Sequence, residues 1–344
     1  MKTFAAIAAA WLVASLSPAQ AQSADDFYKG KQINLIIASG AGGGYDLYAR
    51  ALARHMGKHI PGNPQILPKN LSTAGGVVAS NALFNQIDKD GLTFGALTTG
   101  NLVDPLFGNP KAAYDPLKFN WIGSLGKLEK ICGTWHTHPV KTIEDLRKRE
   151  VLVGGTGATS DSAVFPKVMN ALVGTKFKIV QGYEPGPSLE LSVEKGETEG
   201  ICGISWSTLK ASHPDWVRGK KLNVILQMGL SALPDLPGVP NAIDLVSSEE
   251  DRQVLELILT PQEMGRPYVA PPGVPADRLA ILRRAFEATW KDPDYLAEAQ
   301  RLQMEIEPMT GAQMQTMLET AYGRSKRIIE RATELILPPN IKPN

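Results

Sequence analysis

Two stretches carry residues whose types and spacing suggest chemistry. In "INLIIASGAGGGYDLYARALARHM", Ile33 to Met56, an apolar run enters a turn with four glycines and then a helical pattern. In "REVLVGGTGATSDSAVFPKVMNAL", Arg149 to Leu172, the same device recurs. A helix N-terminus presents unpaired N–H groups and a partial positive charge, and glycine lets an anion approach that backbone closely. Two such turns can grip two ends of one anion. Neither turn contains Lys or Arg. Binding would rest on the backbone of Ala41, Gly42, Gly43 and Gly44, on that of Gly157 and Ala158, and on the hydroxyls of Thr156, Thr159 and Ser160. This suits a carboxylate better than a phosphate, which more often recruits a cation. The plainer alternative for each turn is tight strand-to-helix punctuation without a ligand.

Asp46, in the first turn of its helix, reads first as a cap for backbone N–H groups, and second as a holder of ligand-bound water. Arg50 is its i, i+4 partner. "LTTGNLVDP" puts Thr98, Thr99 and Asn101 at a strand end, where open α/β sheets bind ligands. Tyr45 and Trp206 are candidates to floor an apolar ligand body, against the commoner role of aromatic residues as core.

Other chemistries fail on detail. A dinucleotide fingerprint starting at Gly40 needs glycine where Tyr45 stands, and a P-loop needs a G-K-[ST] that is absent. "GISWS" narrowly misses a nucleophile elbow because Ser207 replaces the last glycine, so Ser205 and Ser160 remain only a weak case for a periplasmic serine hydrolase. His136 and His138, and His55 and His59 one helical turn apart, lack the partners of a metal site. No cofactor or metal is expected, and no catalysis.

The elements that position these residues alternate. "INLII", "PQILPKN" and "LTFGAL" read as strands separated by helical patterns, in the first of which Tyr48, Ala51, Leu52, His55 and Met56 share a face; the pattern calls for an α/β sheet. Thr142 with Asp145 opens a capped helix, and Val164, Phe165, Val168, Met169 and Leu172 form a buried helical face. The N-terminus reads as a cleavable export signal, residues 1–21, with Lys2, an apolar run from Phe4 to Leu16, and Ala19 and Ala21 before the cut. Of 344 residues, 36 are Lys or Arg and 35 Asp or Glu, so losing Lys2 leaves a neutral chain and argues against nucleic acid as a partner. About 320 residues exceed what one core usually supports, so two domains are expected. The two cysteines, Cys132 and Cys202, sit in similar apolar contexts, and an exported chain matures where disulfides persist; a bridge is preferred to two buried free thiols.

With these residues in order, the chain resembles the Bug or TctC family of periplasmic solute receptors, which serve tripartite tricarboxylate transporters. The likeness runs through "KNLSTAGG", "DKDGLTFGAL", "VGGTGATSDSAVF", "GYEPGPSLELSVEKGETEGI", "PPGVPADRLAILRRAF" and "EPMTG". Its motif positions fall on Ala41, Gly42, Gly43, Asp46 and Arg50, then on Asn70, Ala74, Gly75, Gly76, Asp90 and Gly91, and on Gly157, Ser160 and Tyr183. The chain departs from the family at Thr159 and Ala163, and "GYEPG" spaces its glycine one residue late. The resemblance implies a two-lobed fold like the type II periplasmic binding proteins, each lobe a β-sheet flanked by helices, with crossing hinge strands. Residues 22–120 and 222–344 would form one lobe and 121–221 the other. It further implies a monomer that binds a small organic carboxylate in the inter-lobe cleft and hands it to the transporter's membrane subunits, or to a membrane sensor.

Overall fold

The computed structural model describes residues 24–158, 160–184 and 187–337. The export signal and Thr159 lie outside the described residues. After a short helix α1 (Ala24–Phe27), strand β1 (Gln32–Ile37) buries Ile33, Leu35 and Ile37 on one side, the period-two pattern of a strand. It feeds α2 (Gly44–Met56), which buries Tyr48, Ala51, Leu52 and Met56. His55, expected on that face, turns instead to Glu298, 2.6 Å away, because the acid satisfies an imidazole that a core would not. β2 (Gln65–Asn70) and, after α3 (Val77–Asn85), β3 (Thr93–Ala96) both pair with β1 in parallel. β4 (Asn120–Ser124) follows.

A second sheet then begins with β5 (Lys130–Trp135). Helix α4 (Ile143–Lys148) carries the Thr142–Asp145 capping box and leads to β6 (Val151–Gly155) and α5 (Asp161–Val173). β7 (Phe177–Gln181), α6 (Ser188–Glu194), β8 (Gly200–Ser205), α7 (Trp206–Ser212), α8 (Pro214–Arg218) and β9 (Leu222–Met228) complete it. The strand order is β7-β6-β8-β5-β9. β6 pairs in parallel with β7 and β8, and β5 antiparallel with β8 and β9. Cys132 and Cys202 are register partners on β5 and β8, and a disulfide joins them.

Past α9 (Ala242–Leu245) and α10 (Glu249–Leu259), the chain returns to the first sheet as β10 (Pro267–Ala270), which inserts antiparallel between β3 and β4. Helices α11 (Ala276–Thr289) and α12 (Pro293–Arg301) lead to β11 (Met309–Thr310), giving the order β11-β4-β10-β3-β1-β2. α13 (Gly311–Tyr322) packs on β4, whereas α14 (Lys326–Ile336) packs on α10 and on α5 of the second sheet. One apolar cluster thereby joins Leu97 and Phe107 to Phe165, Leu259 and Ile336.

The exchange points differ from the expected Asn120 and Leu222. Both residues open strands that stay in the sheet being left, so the chain crosses after Ser124 and leaves the second sheet after Met228. The partner that holds β4 in the first sheet, β10, arrives more than a hundred residues later, and no local pattern announces it.

Candidate functional site

The two glycine-rich turns lie on one cavity of about 220 Å³ between the sheets. Gly43, Gly44, Tyr45 and Thr98 line it from the first sheet, and Thr156, Ser160 and Ser205 from the second.

In the first turn, α2 begins with Gly43 as a cap that supplies no side-chain hydrogen bond, so its leading N–H groups have no acceptor within the helix. A Cβ on Gly44 would collide with the Thr208 side chain and lie 3.2 Å from Arg266 Nη1, which shows how closely these groups approach the helix start. Ala41 and Gly42 are on the exposed side of the turn. Asp46 points away from the cavity. Its carboxylate accepts the Gly42 amide at 2.9 Å, Arg50 Nε at 2.8 Å and Asn70 Nδ2 at 2.9 Å. Although burial opposes it, these donors hold the carboxyl below the usual range. Asp46, Arg50 and Asn70 thus brace the turn. Tyr45 OH is 3.2 Å from Thr99 Oγ1 and accepts the Thr99 amide at 3.0 Å. Asn101 lies beneath, donating to the Gly75 carbonyl at 3.2 Å and to Asp104 at 3.2 Å.

The second turn is different in kind. The Thr156 amide donates to Ser162 Oγ at 3.1 Å, and Ser160 Oγ donates to the Gly157 carbonyl at 2.7 Å. The Ala158 carbonyl accepts Lys167 Nζ at 3.2 Å. At the start of α5 stands a carboxylate of the chain's own, Asp161, which contacts Lys130 Nζ and accepts Thr99 Oγ1 at 3.4 Å. This close fit needs Gly203, whose φ is +82°: a Cβ there would lie 2.8 Å from the Asp161 carbonyl carbon.

Ser205 lines the cavity while capping α7 and pairing with Ser207 Oγ at 2.9 Å, and two other expected residues lie off its wall. Trp206 packs with Ile131, Leu209 and Trp216 and is not on the cavity wall. Tyr183 packs against Gly154, beside Leu189. No histidine among the described residues lines the cavity.

The expectation that no cation serves the site needs correction, because Arg266 and Lys130 both line the cavity. Arg266 precedes β10 and Lys130 opens β5; both strands run antiparallel to a neighbour, so their starts lie where that neighbour ends. Only an isolated basic residue before a strand pattern, in "GRPYVA" and "LEKICGTW", signals them in sequence. Arg266 is 2% exposed. Its Cζ stacks 3.6 Å from the Tyr48 ring centroid, and Nη2 donates to Thr208 Oγ1 at 3.2 Å and Ser207 Oγ at 3.5 Å. Nε and Nη1 are buried without a hydrogen-bond partner. Burial, and then the Arg266 charge, lower the Lys130 pKa, while the Asp161 carboxylate in contact with Nζ favours the ammonium. Glu190, on α6, also lines the cavity and was missed; burial pushes its carboxyl up to about 7.

No family model matches the chain. A UPF0065 protein of Bordetella bronchiseptica is 25% identical over 345 residues, covering 96% of this chain and 91% of the relative. Another, from Agrobacterium vitis, is 28% identical over 243 residues, 66% of either chain, so the match spans just under two thirds of that relative. Among solved structures, the periplasmic binding protein BugD superposes with a TM-score of 0.69 at 17% identity, covering 90% of this chain and 98% of its own. MatC from Rhodopseudomonas palustris with bound malate gives 0.66 at 18%, covering 89% and 99%. A TctC solute binding protein from Polaromonas, without ligand, gives 0.61 at 20%, covering 90% and 99%. The fold, two helix-flanked mixed sheets, is that of the periplasmic binding proteins, and the resemblance carried by the ordered motifs is to their Bug and TctC members.

Proposed function

We propose that this chain is an exported, non-catalytic receptor that binds a small organic carboxylate between its two sheets and delivers it to a tripartite tricarboxylate transporter. The observation that carries the reading is Arg266, a buried guanidinium whose Nε and Nη1 lack partners beside the start of α2. Burying an unpaired charge costs several kcal/mol, and an anion that accepts from Nη1 beside the start of α2 removes much of that cost. A carboxylate can accept a charge-assisted hydrogen bond from Nη1 while the leading amides of α2 add to it. The malate held by MatC accords with this chemistry. The binding mode is narrower than two equivalent glycine turns: the first turn with Arg266 takes the ligand carboxylate, and the second contributes wall and hydroxyls.

The test is a thermal-shift screen of the mature chain against mono-, di- and tricarboxylates, followed by titration calorimetry. A ligand at 100 times its dissociation constant adds about 2.7 kcal/mol to stability. Stabilisation by carboxylates and not by their amides is expected; equal response to a carboxylate and its amide would overturn the reading.

A further inference from the structure

We infer that the cavity selects a monocarboxylate bearing a hydrogen-bond donor, a hydroxyl or ammonium, at its other end, with the carboxylate on Arg266 and the donor on Glu190, over a dicarboxylate of the same length. The inference rests on the carboxylate reading above and narrows the ligand class for that same site.

Five acidic or basic side chains line the cavity: Asp104, Lys130, Asp161, Glu190 and Arg266. Lys130 and Asp161 neutralise each other in direct contact. Asp104 takes hydrogen bonds from Asn101 at 3.2 Å and Asn109 at 3.0 Å. What is left is one cation and one carboxyl. They come from opposite sheets, Arg266 from the start of β10 and Glu190 from α6, whose Leu189 seats on Gly154. Glu190 is 8% exposed, and its carboxyl makes no ion pair among the described residues. A buried carboxylate without a cationic partner is costly, and its pKa rises to about 7 accordingly.

A ligand that ends in a hydroxyl or ammonium supplies the missing donor and leaves the site balanced. A second carboxylate would meet Glu190 as a like charge, so that one of the two must be protonated before both can be buried, a penalty that grows as pH rises above the Glu190 value of about 7. Leu128, Ile201 and Ile204 line the same space and give an apolar surface for a short methylene chain between the ends.

The experiment is titration calorimetry with the mature protein at about pH 8.5, where Glu190 is ionised. The probes are the ω-hydroxy and ω-amino acids from butanoate through hexanoate, compared with the dicarboxylates from succinate through adipate. In the wild type the tightest donor-bearing acid should bind at least about tenfold tighter than the dicarboxylate of equal length. Glu190→Gln, nearly isosteric, should erase or invert that ratio, because the amide can donate to a second carboxylate; a melting curve checks that the variant is folded. A dicarboxylate that binds as tightly in the wild type, or a ratio that Glu190→Gln leaves unchanged, overturns the inference while the carboxylate reading stands. If neither series binds, this inference falls, and the carboxylate reading is decided by the wider screen and its amide controls.

Discussion

Replacing Arg266 with Met should make the ligand-free protein more stable while weakening its binding. The magnitude follows from what the side chain holds. Met forgoes the stacking on Tyr48, about 2 kcal/mol for a desolvated pair, and two hydrogen bonds from a charged donor, at roughly 1.5 kcal/mol each for their length. Against this, it removes several kcal/mol of charge burial and two unsatisfied donors at roughly 1–3 kcal/mol each. The balance favours the variant by on the order of 1–3 kcal/mol, the direction seen when buried charges give way to apolar residues of similar size. A carboxylate should then bind roughly ten- to a hundredfold more weakly, since a hydrogen bond to a charged group is worth about 1.5–3 kcal/mol. Urea melts without ligand give the first quantity and calorimetry with the tightest carboxylate the second. A variant less stable than wild type by several kcal/mol would mean that Arg266 is a structural group satisfied within the fold. Unaltered affinity in a folded variant would remove it from the site.

Two further variants test the scaffold around this pair. Gly44→Ala drives a methyl into the Thr208 side chain and 3.2 Å from Arg266 Nη1, so affinity should fall roughly tenfold or more, with some loss of stability that a melting curve records; an unchanged dissociation constant in the folded variant would show that the carboxylate does not approach α2 there. Asp292 sits between Lys58 at 2.7 Å and His59 at 2.6 Å. Burial opposes ionisation, but these donors outweigh it and hold the carboxyl well below its usual value. Its stabilising effect is therefore present above the ordinary aspartate pKa and lost as pH falls through the lower folded value. Asp292→Asn should destabilise at neutral pH by more than it does near about pH 3, measured by denaturant melts; a difference independent of pH would refute the ionic account.

The alternation of strand and helix, the two glycine turns and the capping box at Thr142 were legible because each is encoded within a few consecutive residues. Trp206 was misjudged because an aromatic residue beside a serine turn reads the same whether it faces a ligand or, as here, Leu209 and Trp216. Arg266 and Lys130 escaped notice for a different reason. Their placement depends on the antiparallel pairing of β10 with β3 and of β5 with β8, contacts made across long sequence separations. The return of α14 to the second sheet is equally non-local, since its apolar stripe of Ile328, Ala332 and Ile336 says that it buries a face but not against what.

The two turns look alike in sequence because both must bring a helix start close to a sheet, yet the structure uses that closeness for opposite ends. At α2 the glycine cap gives the leading amides no side-chain acceptor, the first-turn Asp46 is turned to the Gly42 amide and Arg50, and the charge facing the cavity is the guanidinium of Arg266. Two positive features together, with nothing negative among the described residues paired to Arg266, define a place that only an outside anion completes. At α5 the same dipole already has its anion. Asp161 is the first helical residue, Gly203 lets the neighbouring strand accommodate its backbone, and Lys130 neutralises it. A second ligand carboxylate at α5 would therefore have to displace Asp161 from Lys130 or share the ammonium with it. Either course costs electrostatic energy that the first site does not demand. The repeated motif thus marks one anion site and one internally neutralised counterpart, and the asymmetry favours a ligand with a single charged head.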